Sequence, residues 1–398
     1  MRKMTSEEFC KRYGVERHGT NCLKWDALDV RFGDPNLISM WVADMEFKVP
    51  EQTIEALKTR VEHGVFGYSF TPESYYSAFI NWEKSHHGYE VKKEWLRFGP
   101  GVVACIYWLI QAFTQPSDAV VILTPVYYPF HNAVKDNNRK LICCELVNTA
   151  GKYSIDFEKF ESDIVENGVK LFILCSPHNP AGRVWDEAEL DSLLGICQKH
   201  HVLVVSDEIH QDLVISDKKH IPSAIVSGGK YAHNIITLNA PSKTFNLAGL
   251  LNCHAIIEDE TIRAKYDAEM KKLNQIESNI LGLTAGEASY SYGEEWRTGL
   301  LATIKANYEY VRDSFEKALP SVIVTPLEGT YLVWLDLRNF LKPEEVKPFV
   351  QGKCNLAVDY GEWFGQQCQG FIRLNLATLP EYVHTAVENL IENLKKLI

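Results

Sequence analysis

The sequence predicts an α/β fold, in which a large domain built on a mostly parallel sheet is joined to a smaller α+β domain. Three observations indicate this fold. Short apolar runs alternate with amphipathic segments up to about residue 285, as they do in βαβ units. Polar residues directly follow several of these runs, as at the ligand-binding rim of an open α/β sheet. Beyond residue 285 the pattern changes to a long helix followed by separate strands.

The elements of the large domain alternate regularly. Helical spacing begins near residue 50, and the loop 99–101 leads into an apolar helix. Short, mainly aliphatic runs are typical of strands that are buried on both faces of a parallel sheet. In chain order we predict the helix 50–65, the helix 102–113, the strand 120–125, the helix 127–137, the strand 171–175, the helix 187–200, and the strands 202–206 and 235–238.

The smaller domain is predicted from the C-terminal part of the chain. Amphipathic spacing indicates its helices, and short apolar or alternating segments indicate its strands. In chain order we predict the helix 286–319, the strands 331–336 and 371–375, and the helix 380–397. The N-terminal residues are irregular, and we expect them to pack with this domain. The predicted boundaries are 50–285 for the large domain, and 1–49 together with 286–398 for the small one.

Composition limits the class of protein. The 398 residues correspond to about two to three domain equivalents, at roughly 150 residues for each domain. With 46% hydrophobic and 23% charged residues, the composition is that of a soluble globular enzyme. The formal net charge of −11 argues against nucleic acid as the main partner, because phosphate binding requires a basic surface.

The cysteines and the apolar runs indicate the cellular compartment of the protein. The ten cysteines show no framework spacing and no C-x-x-C pair, which favours reduced thiols, and we predict no metal site. The first residues lack the apolar core of a secretion signal. No apolar run approaches the roughly 20 residues that span a bilayer. We therefore expect a soluble, cytoplasmic protein that does not bind membranes.

Lys243 is the residue from which the functional prediction starts. A lysine is most often a surface residue. This one, however, follows the apolar run 235–238, at the rim where Asp207 and Asn179 follow two other runs. Together these residue types suggest a pyridoxal phosphate site, in which the lysine forms a Schiff base and the carboxylate pairs with the pyridine nitrogen.

Two residues at the same rim would contact the cofactor ring. Asn179 offers a hydrogen bond to the phenolic oxygen, although Asn-Pro is also an ordinary turn signal. Tyr127 follows the strand 120–125, where an aromatic ring could stack on the pyridine face. Core packing is the alternative for Tyr127, and Tyr128 is its rival for the stacking position.

The remaining candidates would bind anionic groups. Val102 and Val103 begin an apolar helix after Gly101, and the free N–H groups of a helix start suit the cofactor phosphate. Ser242 offers a hydroxyl beside Lys243 for the same phosphate. Arg373 lies in a predicted strand of the small domain, and its guanidinium matches a substrate carboxylate. A structural ion pair is the alternative for Arg373.

Four motifs resemble those of fold-type I pyridoxal phosphate enzymes of the class I/II aminotransferase superfamily. The motifs are Ser-Pro-His-Asn-Pro-Ala-Gly (176–182), Ser-Asp-Glu-Ile-His (206–210), Ser-Lys-Thr-Phe-Asn (242–246) and Phe-Ile-Arg-Leu-Asn (371–375). The resemblance covers nearly the whole chain. It implies that Lys243 is the Schiff-base lysine, Asp207 the pyridine partner, Asn179 the phenolate partner and Arg373 the α-carboxylate clamp. It also implies a homodimer, in which Tyr68 reaches the neighbouring subunit's site.

Further segments are similar to the MalY/PatB-type cystathionine β-lyases, also called C–S lyases. They are Trp-Val-Ala-Asp-Met-Glu-Phe (41–47), Gly-Val-Val (101–103) and residues 281–296. His210 stands where many aminotransferases carry a tyrosine, and we predict that it also binds the cofactor. Ala240 and Leu251 depart from the wider pattern, since they replace a frequent phosphate-binding serine and arginine. The cation that would face the phosphate is therefore not identified.

The resemblance implies a carbon–sulfur β-lyase that acts on a small amino acid such as L-cystathionine or L-cysteine. Such an enzyme yields a thiol or sulfide, pyruvate and ammonia. An aminotransferase is the first alternative, because the two reactions share every step up to the carbanion at Cα. A regulatory protein that keeps the fold and cofactor and acts through protein contacts is the second alternative.

Overall fold

The protein is described by a computed structural model covering residues 4–275 and 278–398. Its strands are β1 (Ile38–Ser39), β2 (Leu96–Gly99), β3 (Ala119–Thr124), β4 (Lys140–Glu145), β5 (Val147–Thr149), β6 (Lys152–Ser154), β7 (Leu171–Cys175), β8 (Leu203–Asp207), β9 (Ile235–Asn239), β10 (Cys253–Ile257), β11 (Ile323–Val324), β12 (Leu332–Asp336), β13 (Leu356–Ala357), β14 (Asp359–Tyr360) and β15 (Phe371–Asn375).

The helices surround these strands. They are α1 (Ser6–Tyr13), α2 (Leu23–Asp26), α3 (Leu28–Phe32), α4 (Glu51–Glu62), α5 (Glu73–His87), α6 (Val102–Phe113), α7 (Pro129–Asp136), α8 (Phe157–Asn167), α9 (Glu187–Lys199), α10 (Pro241–Thr244), α11 (Glu260–Lys272), α12 (Ile280–Tyr292), α13 (Glu294–Ala318), α14 (Pro343–Gly352) and α15 (Pro380–Lys395). None of the helices within the described ranges combines the length and apolar composition needed to cross a bilayer.

A seven-stranded sheet forms the centre of the fold, in the order β2-β10-β9-β8-β7-β3-β4. The pairs from β9 to β4 are parallel, whereas β10 is antiparallel to both of its neighbours. Every residue of β3, β7, β8, β9 and β10 is buried. Their aliphatic runs are therefore covered on both faces, as in other mostly parallel sheets. The predicted α/β fold with a mostly parallel sheet is confirmed.

The carboxyl ends of β7, β8 and β9 meet at one edge of this sheet. Cys175 lies opposite Asp207, and Asp207 lies opposite Leu238. Because these ends are in register, the residues that follow each strand emerge close together. The edge is the place at which open α/β sheets bind ligands.

A second sheet is antiparallel and has the order β11-β12-β15-β14. Trp334 of β12 and Asp359 of β14 both lie opposite Arg373 of β15. Near this sheet β1 pairs in parallel with β13, so the N-terminal segment contacts the C-terminal part of the chain. The boundaries 49/50 and 285/286 between two domains stay a prediction.

The single helix predicted over 286–319 is wrong, because the structure divides this region into α12 and α13 at Gly293. A Cβ at Gly293 would lie 2.4 Å from Phe245 Cε1 and 2.4 Å from the Ser289 carbonyl oxygen. Gly293 has φ −87° and ψ 1°, which ends the regular α12 geometry. The helix therefore turns where the ring of Phe245, two residues after Lys243, packs against it. Amphipathic spacing continues through this turn and does not reveal it.

Gly293→Ala is expected to destabilise the protein by about 1–3 kcal/mol, the usual cost of forcing extra atoms into a packed site. Gly352→Ala is the matched control, since a Cβ built there has no described atom within 4 Å apart from its chain neighbours and the backbone of its own helix. Chemical denaturation of both variants measures the free energy of unfolding. Equal stability of the two variants would contradict the packing explanation of the turn.

Candidate active site

A cavity of about 330 Å³ lies at the edge where β7, β8 and β9 end. All eight residues predicted to bind the cofactor line this one cavity. They are Val102, Val103, Tyr127, Asn179, Asp207, His210, Ser242 and Lys243. The other lining residues were not predicted to bind the cofactor, although Gly101 precedes the predicted anion-binding start of a helix. They are Ala43, Pro100, Gly101, Ala104, Cys175, Ile209, Ala248, Leu251 and Asn252.

Lys243 enters the cavity from α10, the short helix that follows β9. Its Nζ donates a hydrogen bond to the carbonyl oxygen of Ala43 at 2.7 Å. Burial lowers the pKa of Lys243 to about 8, although the carboxylate of Asp44 acts in the opposite direction. A substantial fraction of this amine is therefore neutral near pH 8. A neutral, buried amine can act both as a nucleophile and as a base.

Asp207 ends β8 and points a buried carboxylate at the same cavity. Its Oδ1 accepts a hydrogen bond from the backbone N–H of Ile209 at 3.1 Å. Burial raises the pKa of Asp207 to about 7, while that hydrogen bond and the charge of Lys243 oppose the shift. Asp207 forms no ion pair within residues 4–275 and 278–398. A buried acid of this kind is stabilised as a carboxylate by a cationic N–H donor in the cavity.

Asn179 connects the cavity to Arg373. The Oδ1 of Asn179 accepts a hydrogen bond from Arg373 Nη1 at 2.9 Å, which leaves the amide N–H groups of Asn179 as donors. Arg373 does not line the cavity itself and reaches it through Asn179. The guanidinium also pairs with the carboxylate of Asp359 on β14, a short and buried ion pair. The structural ion pair considered for Arg373 is thus present beside the cavity.

The start of α6 supplies the anion-binding end of the cavity. Gly101 precedes the helix, and no side chain caps its first turn. The N–H groups of the first helical residues are therefore free to bind an anion. Ser242 lies on the same cavity, and Leu251 adds no charge. Lys243 is the one cation that the described chain contributes to the lining, so backbone N–H groups would carry most of the contact with a phosphate.

His210 and Tyr127 present rings to the cavity. Burial lowers the pKa of His210 well below its usual value, with Lys243 and Arg373 adding to the shift, so its imidazole is neutral. Burial raises the pKa of Tyr127 to about 12, so its phenol is also neutral. Tyr127 lines the cavity, whereas Tyr128 does not and faces Trp363. The geometry therefore favours Tyr127 over its rival as the stacking residue.

The segment 41–47, to which the sequence assigned no role, reaches the cavity through Ala43. Its Ala43 carbonyl accepts hydrogen bonds from both Lys243 Nζ and the Tyr331 hydroxyl. Asn246 Nδ2 donates to the carbonyls of Met45 and Phe47. Asn375 Nδ2 donates to the carbonyls of Val42 and Asp44. We call residues 41–47 the N-terminal strap.

A sequence signal for the strap exists in the two asparagines that hold it. Asn246 ends the motif that carries Lys243, and Asn375 ends the motif that carries Arg373. Each asparagine side chain can donate and accept, which suits it to an irregular segment with unpaired backbone groups. An asparagine at the end of each motif therefore suggests a bond to backbone groups, but it does not identify the segment of the chain that carries them.

Tyr68 lies outside the cavity of its own chain and is 95% exposed. The side chains of Val65, Phe66 and Phe70 beside it are exposed as well. The prediction for Tyr68 concerns the site of a neighbouring subunit, and it stays a prediction.

The described residues fit a bound pyridoxal phosphate. Asp207 is a buried carboxylate without a cation partner in the described chain, as a protonated pyridine nitrogen requires. Asn179 has amide donors for a phenolic oxygen, and the uncapped start of α6 has donors for a phosphate. Lys243 combines burial with a lowered pKa, as covalent attachment to an aldehyde requires.

Comparison with known proteins agrees with this assignment. The family model for aminotransferase class I and II matches residues 36–390. Cystathionine beta-lyase PatB of Bacillus subtilis (strain 168) is 40% identical over 371 residues, which cover 92% of this chain and 96% of PatB. Protein MalY of Escherichia coli (strain K12) is 33% identical over 384 residues, which cover 96% of this chain and 97% of MalY.

Two solved structures that contain the cofactor are also similar. Cystalysin from Treponema denticola, which contains pyridoxal 5'-phosphate, superposes with a TM-score of 0.92 at 35% identity, covering 96% of this chain and 98% of cystalysin. The pyridoxal phosphate-bound C–S lyase from Staphylococcus hominis superposes with a TM-score of 0.90 at 32% identity, covering 96% of each chain.

Proposed function

The chain belongs to the class I and II aminotransferase family, and from that membership we propose that it is a pyridoxal phosphate-dependent carbon–sulfur β-lyase. Its substrates are L-cystathionine or L-cysteine-type amino acids. With one water molecule, cleavage of L-cystathionine yields homocysteine, pyruvate and ammonia. The observation that carries the proposal is the likeness to a cystathionine β-lyase over more than nine tenths of both chains.

When bound, pyridoxal phosphate supplies an electron sink that stabilises negative charge at the substrate Cα. Asp207 would pair with the pyridine nitrogen and favour its protonated form, because its buried carboxylate would be stabilised by that N–H. The Asn179 amide would donate to the phenolic oxygen, and the N–H groups at the start of α6 would hold the phosphate. These contacts would orient the cofactor, with Tyr127 as the residue that would stack on its ring.

Lys243 moves the protons. The Nζ amine of Lys243 would remove the proton from the substrate Cα. General base catalysis by a positioned group contributes typically about 10²–10⁴-fold. The resulting ammonium of Lys243 would then supply a proton to the departing sulfur. Arg373, held by Asn179 and Asp359, binds the α-carboxylate and so fixes which Cα bond faces Lys243.

Product analysis with L-cystathionine tests the proposal. Purified protein and pyridoxal phosphate are incubated without any keto acid, and homocysteine, pyruvate and ammonia are measured. The proposal expects all three products in equal amounts over many turnovers. Absence of these products, with multiple turnovers of an amino donor once a keto acid is supplied, would instead make the protein an aminotransferase.

The exposed apolar segment around Tyr68 supports a homodimer. Val65, Phe66, Tyr68 and Phe70 follow one another closely, and all four side chains are exposed. A cluster of this kind in a soluble protein commonly marks a contact surface. In the homodimer Tyr68 would reach the cavity of the neighbouring subunit. Sedimentation equilibrium measures the mass in solution, and a monomer at all concentrations would exclude this arrangement.

The lowered pKa of Lys243 predicts how cofactor attachment depends on pH. Only the neutral amine reacts with the aldehyde, so the rate should rise with pH and level off above about 8. With an ordinary lysine the attachment rate would continue to rise up to a pH of about 10.4. Borohydride trapping at short times, followed by mass spectrometry, measures the rate at each pH.

Asp44→Asn is the matched variant for this measurement, because the Asp44 carboxylate raises the pKa of Lys243. Its removal should shift the midpoint of the pH profile to lower values. Two results would contradict the electrostatic account. One is a midpoint in the unsubstituted protein at the pKa of an ordinary lysine, and the other is a midpoint in the variant at a higher pH than in the unsubstituted protein.

A further inference from the structure

Arg373 has a partner of opposite charge directly across the sheet. Asp359 on β14 lies opposite Arg373 on β15 in the antiparallel register, so both side chains project from the same face. Arg373 Nη2 donates to Asp359 Oδ2 in a short contact, and the two side chains are only 3% and 4% exposed. The guanidinium therefore carries its own buried counter-ion.

The pair leaves the guanidinium with donors to offer. Nη1 binds the Asn179 carbonyl oxygen at 2.9 Å, and Nη2 binds Asp359. The Nε atom is buried and has no hydrogen-bond partner among the described residues. Arg373 can therefore still bind a carboxylate in a fixed geometry. The incoming carboxylate, however, meets a cation whose charge is already compensated.

The charges around the cavity make the net charge of a ligand important. Arg373 is balanced by Asp359, and the charged residues that line the cavity are the half-buried Lys243 and the buried Asp207. Asp44 lies near Lys243 but is paired with Arg17. A ligand with a net negative charge thus adds a charge that no side chain of the cavity balances. A zwitterion brings its own balancing cation.

We propose that Asp359 is a specificity-determining residue that makes the Arg373 clamp prefer zwitterionic amino acids over α-keto acids. The inference rests on the proposed function, in which Arg373 binds the α-carboxylate. An α-keto acid is the co-substrate that transamination requires, and pyruvate is the keto acid that forms when water hydrolyses aminoacrylate, the product of β-elimination. Weak binding of keto acids favours elimination over transamination and limits inhibition by accumulated pyruvate.

The discrimination between amino acids and keto acids follows from Coulomb's law over short distances. The Asp359 carboxylate repels the carboxylate of either ligand. It attracts the ammonium group of the amino acid, which is bonded to the next carbon. Because the interaction falls only as the inverse of distance, the attraction offsets most of the repulsion. The keto group carries no charge, so a keto acid keeps the full repulsion.

Calorimetric titration of the holoenzyme with pyruvate and with L-alanine tests the proposal. The two probes share three carbons, and L-alanine has no leaving group at Cβ. In Asp359→Asn we expect pyruvate to bind roughly tenfold more tightly, while the affinity for L-alanine changes by no more than about twofold. Asp359→Glu keeps the charge and should keep the unsubstituted protein's affinity ratio.

Asp336→Asn is the control, because Asp336 lies on the strand next to β15 and pairs with the half-exposed Arg338 rather than with Arg373. It should change neither affinity. Unchanged pyruvate binding in Asp359→Asn, or equal changes for both probes, would overturn the proposal. Should that variant not fold, Asp359→Ser replaces it.

These measurements are separate from the test of the lyase reaction. A protein that fails to cleave L-cystathionine can still show the predicted affinity ratio, and then only the reaction is wrong. A protein that cleaves L-cystathionine but shows parallel changes for both probes is a lyase in which Asp359 is merely structural.

Discussion

Lys243→Ala is expected to abolish turnover and the covalent attachment of the cofactor. The loss of proton transfer alone should lower the rate by at least about 10²–10⁴-fold. Asp207, Asn179 and the start of α6 remain, so some cofactor should still bind without a covalent bond. Initial rates with L-cystathionine, and mass spectrometry after borohydride reduction, measure the two losses separately.

Lys219→Ala is the control for this experiment, since Lys219 is exposed and does not line the cavity. It should leave both the rate and the covalent attachment unchanged. Turnover retained in Lys243→Ala would remove the basis for the proposed reaction. Covalent attachment retained in Lys243→Ala would show that another lysine holds the cofactor.

Arg373→Ala is expected to raise the KM for the amino acid and to lower stability. Loss of a charge-assisted hydrogen bond costs about 1.5–3 kcal/mol, which corresponds to a KM roughly 10- to 150-fold higher. The same change leaves Asp359 buried without its cation, and breaking a buried pair in this way typically costs about 3–5 kcal/mol. Steady-state kinetics and urea denaturation report on the two effects.

The double variant Arg373→Ala/Asp359→Ala separates binding from stability. It removes both charges, so it should recover much of the lost stability while KM stays high. Recovery of a low KM in the double variant would mean that Arg373 does not bind the carboxylate. An unchanged KM in Arg373→Ala would lead to the same conclusion.

The sequence predicts the strands at the cavity well, because their burial requires uninterrupted apolar runs. β7 lies at its predicted residues, β8 is shifted by one residue from the predicted strand, and β9 is one residue longer than predicted. The polar residues at these ends follow from the topology, since parallel strands carry them to one edge. This is why the eight predicted cofactor residues come to line a single cavity.

Other features depend on contacts between distant parts of the chain and leave weak local signals. The turn at Gly293 arises from the ring of Phe245, 48 positions earlier in the numbering of the chain. The pairing of Arg373 with Asp359 depends on the register between two short strands. The Ala43 contact with Lys243 uses a carbonyl group, which every residue type carries. Residue identity therefore could not reveal it.

The contacts of the N-terminal strap affect the order in which parts of the molecule fold. The strap is held by Asn375, which binds the Val42 and Asp44 carbonyls across 333 and 331 positions of the chain. During synthesis the strap can therefore take its final position only after Asn375 has also left the ribosome. Contacts between such distant residues also form slowly. The segment that touches Lys243 is therefore translated long before the residue that fixes it.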